Sequence, residues 1–275
     1  MTEYRAEADH TDPDEKRILF DRHLGEYGHF VMPLAVLLEE AAWFLGLDNT
    51  ILDYERETKY ISRASQGVHP EEAAVLYALT RLLKPRLVLE TGTFEGYSTA
   101  EIARALHKNG TGHIESIDIS AETGGRVPEN LRTYVTFRQN MASLELTRFL
   151  AEQSASINLF FHDSAHNYIN ALDELVAFAP FFAPGCVIVC HDAKMDFMPD
   201  FGVGRAVREF AQTLKLECAI LDTTCGLALL RWPPHTDKIK LEAELDILKK
   251  SLDKAKTDRL LVNRVRRVWR VLKGG

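Results

Sequence analysis

Apolar and polar positions change rhythm several times along this chain of 275 residues. From about residue 66 to 232, short apolar runs alternate with stretches whose apolar residues return every three or four positions. That is the mark of strands alternating with amphipathic helices. The predicted strands cover 86–90, 113–118, 134–139, 157–162 and 186–191, and the predicted helices cover 70–83, 97–108, 143–153, 168–182 and 203–214. Pro70 opens the first of these helices and places Glu71 and Glu72 in its first turn, where they suit the helix dipole. Two further β-runs, 218–221 and 227–232, are separated by only a few residues and read as an antiparallel hairpin. Repeated βα units predict a Rossmann-like, doubly wound α/β sheet. It is mostly parallel, ends in that C-terminal antiparallel hairpin and carries helices on both faces.

The flanks follow other rules, so the chain divides into three parts: 1–65, 66–232 and 236–275. The first is an N-terminal helical cap. It opens with Glu3, Glu7, Asp9, Asp12, Asp14 and Glu15, and continues into an amphipathic helix started by Pro33 and stopped near Gly46. The last is a basic amphipathic helix, in which Leu241, Leu245, Leu248 and Leu252 keep helical spacing, as do Leu261, Val265, Val268 and Leu272. Between Lys249 and Lys273 stand ten basic residues against two acidic ones. Its apolar stripe either docks on the core or on a second copy in a homodimer, or makes peripheral contact with an anionic membrane surface, with Trp269 as interfacial anchor. Contact with another polyanion is a third reading.

Composition narrows the class. The formal net charge of −7 argues against nucleic acid as a partner of the whole chain. An apolar fraction of 46% with 27% charged residues is that of an ordinary globular protein. No run approaches the roughly 18 apolar residues of a membrane span, and the acidic opening lacks signal-peptide character. Cys186, Cys190, Cys218 and Cys225 fall in or beside apolar strand-like runs, which suits free thiols in a reducing cytoplasm. The spacing of Cys186 and Cys190 places both on one face of a strand, which is poor zinc-knuckle geometry.

Candidate chemistry begins at residues 87–98, Leu-Val-Leu-Glu-Thr-Gly-Thr-Phe-Glu-Gly-Tyr-Ser. A strand, a tight glycine turn and a helix start follow one another there, so the backbone can approach a ligand and the free helix amides favour an anionic group. The spacing is Glu-x-Gly-x-x-x-Gly, not the dinucleotide fingerprint, and no P-loop Lys-Ser/Thr pair follows. An acid at the start of such a turn suits a ligand with a cationic amine and little or no phosphate, such as S-adenosyl-L-methionine.

Residues 66–192 resemble the class I S-adenosylmethionine-dependent O-methyltransferases, in the branch of the catechol and caffeoyl-CoA type enzymes and related bacterial small-molecule and sugar O-methyltransferases. The resemblance rests on His69-Pro-Glu-Glu, the 87–98 string with Thr-Ala-Glu-Ile-Ala after it, Ser-Ile-Asp118, Asp163-Ser-Ala-His166-Asn-Tyr168 and Pro184-Gly-Cys-Val-Ile-Val-Cys-His191-Asp192. It implies a methyltransferase acting on a hydroxyl of a small molecule. A catalytically altered or inactive S-adenosylmethionine-binding protein of the same fold is the alternative. In the implied cofactor site Glu90, Gly92, Thr93 and Gly96 form the turn at the methionine end, and Ser98 bonds the cofactor's carboxylate. Phe94 and Tyr97 either touch the cofactor or pack the turn on the sheet. Asp118 takes the ribose hydroxyls or caps a helix, Asn140, with Met141, lies where adenine is held, and Asp163 borders the cofactor as well.

Catalysis is expected beyond the carboxyl ends of the fourth and fifth strands, from Asp163, His166, His191 and Asp192, with His162 near them. The acceptor hydroxyl must lose its proton, either to a histidine base or through a divalent metal, Mg²⁺ or Mn²⁺, that lowers its pKa. The resemblance assigns such a metal to Asp163 and Asp192. However, Ala193 stands where that branch has an amide ligand and Ala165 where related members have another Asp, so waters or His166 would complete the shell. Residues 20–69 and 194–203 would build the acceptor pocket. His23, Tyr27 and His29 either line it or lie on the surface.

Overall fold

The computed structural model describes residues 34–48, 50, 52, 53 and 67–272, with side chains as far as residue 261. The acidic opening, Pro33, His23, Tyr27 and His29 lie outside the described residues, as do the side chains of Val265, Val268, Trp269 and Leu272. In chain order the elements are helix α1 (Leu34–Leu45), helix α2 (Pro70–Leu83), strand β1 (Leu87–Thr91), helix α3 (Tyr97–Asn109), strand β2 (His113–Ile117) and strand β3 (Val135–Arg138). Helix α4 (Leu146–Glu152), strand β4 (Ile157–His162), helix α5 (Tyr168–Phe178), strand β5 (Phe182–Cys190) and helix α6 (Val203–Leu214) follow. Strands β6 (Cys218–Leu221) and β7 (Leu227–Arg231) and helix α7 (Lys238–Leu272) complete the chain.

Among the described residues seven strands form one sheet in the order β3-β2-β1-β4-β5-β7-β6. The first five are mutually parallel, while β7 runs antiparallel to both β5 and β6. Successive residues of a strand point to opposite faces, and both faces here are covered, so the central strands are largely apolar, with Glu90, Thr91, Ser116 and His162 as buried polar residues toward their carboxyl ends. In β5, Val187 and Val189 join the core under α1, α2 and α3, whereas Cys186, Ile188 and Cys190 join the core under α4, α5, α6 and α7.

Three boundaries differ from the sequence expectation. The helix expected over 143–153 opens as a 3-10 turn at Ser143–Glu145 and is α-helical only over Leu146–Glu152. The helix expected over 168–182 ends at Phe178 and tightens into a 3-10 turn at Ala179–Phe181, because Pro180 has no N–H to continue the ladder. Strand β5 then starts at Phe182, before Pro184-Gly185. The left-handed Gly185 (φ 75°) lets it pass with a shift of register against β4.

The proximal half of α7 docks on the core. Leu245, Leu248 and Leu252 are buried against α5 and α6, each burial contributing roughly 1.5–3 kcal/mol. Tyr168 Oη donates to Glu209 at 2.6 Å and lies 3.2 Å from Ser251 Oγ, and Lys256 pairs with Asp173 at 2.6 Å. Beyond that pair the described side chains are open, Leu260 and Leu261 being 70% and 55% exposed. Among the described residues no helix is long and apolar enough to cross a membrane. The four cysteines are free.

Candidate active site

The carboxyl ends of β1, β2 and β4 meet around the glycine turn. Gly92 (φ 88°) passes so close to β4 that a Cβ there would lie 2.0 Å from the Asp163 carbonyl oxygen, so only glycine fits. Its N–H donates to Ile117 O at 2.9 Å, and Asp163 N donates to Thr91 O at 2.8 Å. Phe94 adopts the left-handed region (φ 45°) despite its side chain, and its N–H donates to Asp118 Oδ2 at 2.8 Å. Ser120 N donates to Asp118 Oδ1 at 2.8 Å. Asp118 therefore closes the glycine turn onto the end of β2 rather than capping a helix. A carboxylate has about four lone-pair sites, so acceptor capacity remains for ligand hydroxyls.

A cavity of about 540 Å³ opens over this turn, within the roughly 300–1,000 Å³ usual for small-ligand sites. Of the residues expected at the cofactor, Gly92, Thr93, Phe94, Gly96, Tyr97, Ser98, Asp118 and Asp163 line it, together with Met141. Phe94 is 57% exposed on its wall, whereas Tyr97 is packed into the core under α1, α2 and α3. Glu90 and Asn140 do not line the cavity. Asn140 is exposed, its N–H donating to Ser120 O at 3.1 Å. Glu90 is fully buried beneath the turn, where Ser98, Thr99 and Ser116 each donate a hydroxyl to it at 2.6 Å. Burial pushes the Glu90 carboxyl up to about 7 against the opposing pull of those hydroxyls. The Ser98 hydrogen is thus committed to Glu90, which leaves the first-turn amides of α3 as the donors facing an anionic ligand group.

Strands β4 and β5 bring together four of the residues expected to do chemistry. His191 is buried, its Nε2 bonded to Glu72 Oε2 at 2.8 Å, and its Nδ1 lies 3.1 Å from Asp163 Oδ1 and 3.3 Å from Asp192 Oδ2. His166 is on the cavity wall with its side chain 45% exposed, and its Nδ1 sits 2.6 Å from Asp192 Oδ2. Phe201 stacks on the His166 ring at 5.1 Å between centroids and 8° between planes. Asp192 holds the left-handed region (φ 60°), a backbone strain of the kind found at functional sites. Burial opposes charge on His191, but Asp192, Glu72 and Asp163 outweigh it and hold the ring's pKa well above 6.5. His166 is likewise raised, burial being overcome by the hydrogen bond and charge of Asp192. Asp163 is raised by burial, whereas for Asp192 the two imidazoles overcome burial and lower it.

His162 is not part of this group. It is buried, with Nδ1 bonded at 2.8 Å to Glu174, which also accepts from Thr91 and Ser164. Glu72, Glu174 and Phe201 are the participants that residue patterns did not single out. Glu72 reads locally as a first-turn acid, and it does accept from His69 N at 2.9 Å. It also accepts from Thr223 Oγ1 at 2.8 Å and Cys225 N at 3.0 Å, which pins the β6–β7 loop beside His191. No local signal marks those partners.

The donor set fits a divalent cation. His191 Nδ1 is buried without an aligned hydrogen bond, and it and one oxygen each of Asp163 and Asp192 lie within 4.8 Å of one another. Two carboxylates and an imidazole are suitable ligands.

Residues 89–193 match a protein-family model described as a methyltransferase domain. Among solved structures, the chain is similar to the O-methyltransferase TomG from Streptomyces achromogenes, involved in tomaymycin synthesis and solved with S-adenosylmethionine. The identity is 20% over 80% of this chain and 99% of that one, with a TM-score of 0.51. It is also similar to an O-methyltransferase from Bacillus cereus in complex with S-adenosylhomocysteine, at 16% identity over 75% of this chain and 95% of that one, with a TM-score of 0.49. No curated protein sequence matches the chain.

Proposed function

From the premise that residues 89–193 form a methyltransferase domain, we propose that the chain transfers a methyl group from S-adenosylmethionine to a hydroxyl of a small molecule. The observation that carries this reading is the convergence of the Gly92–Asp118 cavity with the His166–Asp192 pair on its wall. The similar TomG structure named above, described as an O-methyltransferase in complex with S-adenosylmethionine, supports the same chemistry. We assign the catalytic unit to residues 66–232, with the segments on either side as additions to it. The free cysteines support a reducing, cytoplasmic setting.

S-adenosylmethionine, when bound, supplies a methyl carbon activated by its sulfonium. The turn would hold it by the α3 amides at one end and by Asp118 at the ribose. Asp192 fixes the His166 ring through Nδ1, and Phe201 fixes its plane. Among the described residues nothing bonds His166 Nε2, so in its neutral form that nitrogen takes the proton of an acceptor hydroxyl placed in the cavity. Transfer would join the acceptor oxygen to the methyl carbon and leave the carbon–sulfur electron pair on sulfur, with His166 holding the acceptor's proton. Alignment of the oxygen with the methyl carbon supplies the rest of the rate. A divalent cation held by Asp163, His191 and Asp192 would lower the pKa of that hydroxyl further.

Isothermal titration of the full chain with S-adenosylhomocysteine tests the reading. Saturable binding at one molecule per chain is expected, and no binding at millimolar ligand would remove it. Binding without transfer to any sugar, phenol or other small hydroxyl compound would leave the altered or inactive protein of the same fold.

For the distal half of α7 the reading is peripheral contact with an anionic membrane surface. Its support is the exposure of Leu260 and Leu261 next to a segment rich in Arg. Vesicles of phosphatidylserine and phosphatidylcholine should co-sediment the full chain but not a chain ending at residue 256. Equal sedimentation would refute this, and a dimer lost on the same truncation would assign the segment to a homodimer.

A further inference from the structure

The chain has Ala193 where a third oxygen ligand would follow Asp192 in the resemblance. Beside that gap lies a buried imidazole nitrogen without an aligned hydrogen bond. His191 Nδ1 faces Asp163 Oδ1 at 3.1 Å and Asp192 Oδ2 at 3.3 Å. Donors about 2.1 Å from a common cation stand about 3.0 Å apart at right angles and about 3.4 Å apart in a tetrahedron. Both distances at His191 fall in that window, so each carboxylate oxygen stands from Nδ1 as a neighbouring ligand of one ion would, and one ligand atom of each of the three residues lies within 4.8 Å of the others.

The other side of the ring points the same way. His191 Nε2 donates to Glu72, which is fully buried and held by Thr223 Oγ1 and the N–H groups of Cys225 and His69. A carboxylate behind one ring nitrogen fixes the tautomer and turns the other nitrogen toward a metal, which on binding would displace the proton that nitrogen carries in the metal-free ring. His166 is placed differently. It faces the cavity and stacks on Phe201, which suits proton transfer rather than completion of a metal shell.

We infer that His191 Nδ1, oriented by Glu72, joins Asp163 and Asp192 in a site for a borderline divalent cation of the Mn²⁺, Fe²⁺, Co²⁺ or Zn²⁺ class. An imidazole in place of an amide oxygen shifts the preference of the site away from Mg²⁺. This rests on the methyl-transfer reading of the cavity, and the ion would lie against the acceptor side of it.

Chelator-treated full-length chain, titrated calorimetrically with MnCl₂ and with MgCl₂, tests the inference. CoCl₂ adds a visible absorption signature of nitrogen and oxygen coordination. One Mn²⁺ per chain is expected, bound at least about tenfold more tightly than Mg²⁺. His191→Ala should abolish the preference and the cobalt bands. Glu72→Gln should weaken Mn²⁺ by about 10–100-fold, as loss of a partner behind a ligand does. Circular dichroism checks the fold of each variant, and His191→Asn, close in size, stands in if His191→Ala is unfolded. Absence of Mn²⁺ binding at millimolar ion, or equal Mn²⁺ and Mg²⁺ affinities unchanged by loss of His191, overturns the inference. S-adenosylhomocysteine is titrated in the same preparation. Its binding without Mn²⁺ binding defeats the metal site alone, and loss of both defeats the functional reading as well.

Discussion

Replacing His166 with alanine is expected to lower kcat by about 10²–10⁴-fold, the usual contribution of a positioned general base, while KM for the cofactor changes little. The ring is the one imidazole of the site with substantial exposure, and its Nδ1 is held at 2.6 Å by a carboxylate that is itself buried. The proton it accepts comes from the acceptor oxygen, so the loss falls on the chemical step and not on cofactor affinity. Added imidazole should restore part of the rate in the His166→Ala enzyme, because the vacated space opens on the cavity. Phe201→Ala, which removes the stacking partner but no titrating group, should fall between the variant and the parent. A kcat for His166→Ala within tenfold of the parent would show that the proton leaves by another route. The measurement is steady-state kinetics at saturating cofactor once an acceptor is found by screening.

Glu90→Gln should change how stability depends on pH. In the folded chain the Glu90 carboxyl titrates at about 7, against an ordinary value of 4.5. The folded state therefore binds this proton more tightly than the unfolded state. The stability attached to it is complete below about 4.5 and is lost as pH rises through the interval to about 7. Two and a half units at about 1.36 kcal/mol each give a swing of about 3 kcal/mol. Glutamine carries no such proton, so the difference in unfolding free energy, variant minus parent, should rise by up to about 3 kcal/mol between pH 5 and pH 8. Urea denaturation at both pH values measures it. At pH 5 the parent carboxyl is itself protonated and, like the amide, offers a carbonyl acceptor and a donor to the hydroxyls of Ser98, Thr99 and Ser116, so the two proteins should be close in stability there and diverge as pH rises. Parallel pH profiles for the two proteins would show that Glu90 is not protonated near neutrality in the fold.

Both predictions concern residues visible in the chain as written, yet their partners were legible to different degrees. The strand, glycine turn and helix of residues 87–98 announce themselves through local rules. An apolar run must be buried, positive φ demands glycine at Gly92, and helix spacing resumes at Tyr97. The alternation of βα units carries the parallel order of β1 to β5, and the short gap before β7 carries the antiparallel hairpin. What each polar side chain touches is a different matter. Ser98 reads as a ligand to the cofactor's carboxylate, but packing of α3 on β1 turns its hydroxyl to Glu90. His162 and His166 are four positions apart and look equivalent, yet the last residue of β4 points to Glu174 in the core while the loop residue faces the cavity.

By itself, then, the sequence determined the elements, the mostly parallel sense of the sheet with its antiparallel hairpin, the glycine turn and the two strand ends where Asp163 and Asp192 appear. These depend on periodicity and backbone sterics within a few residues. Only the tertiary structure decided that Glu72 on α2 reaches His191 on the far side of the chain, that Phe201 stacks on His166, and that His191 rather than His166 lies between the two carboxylates. Those contacts depend on the register of β5 against β4 and on how α2 and the β6–β7 loop pack beside it. No local pattern encodes the meeting of side chains 119 positions apart.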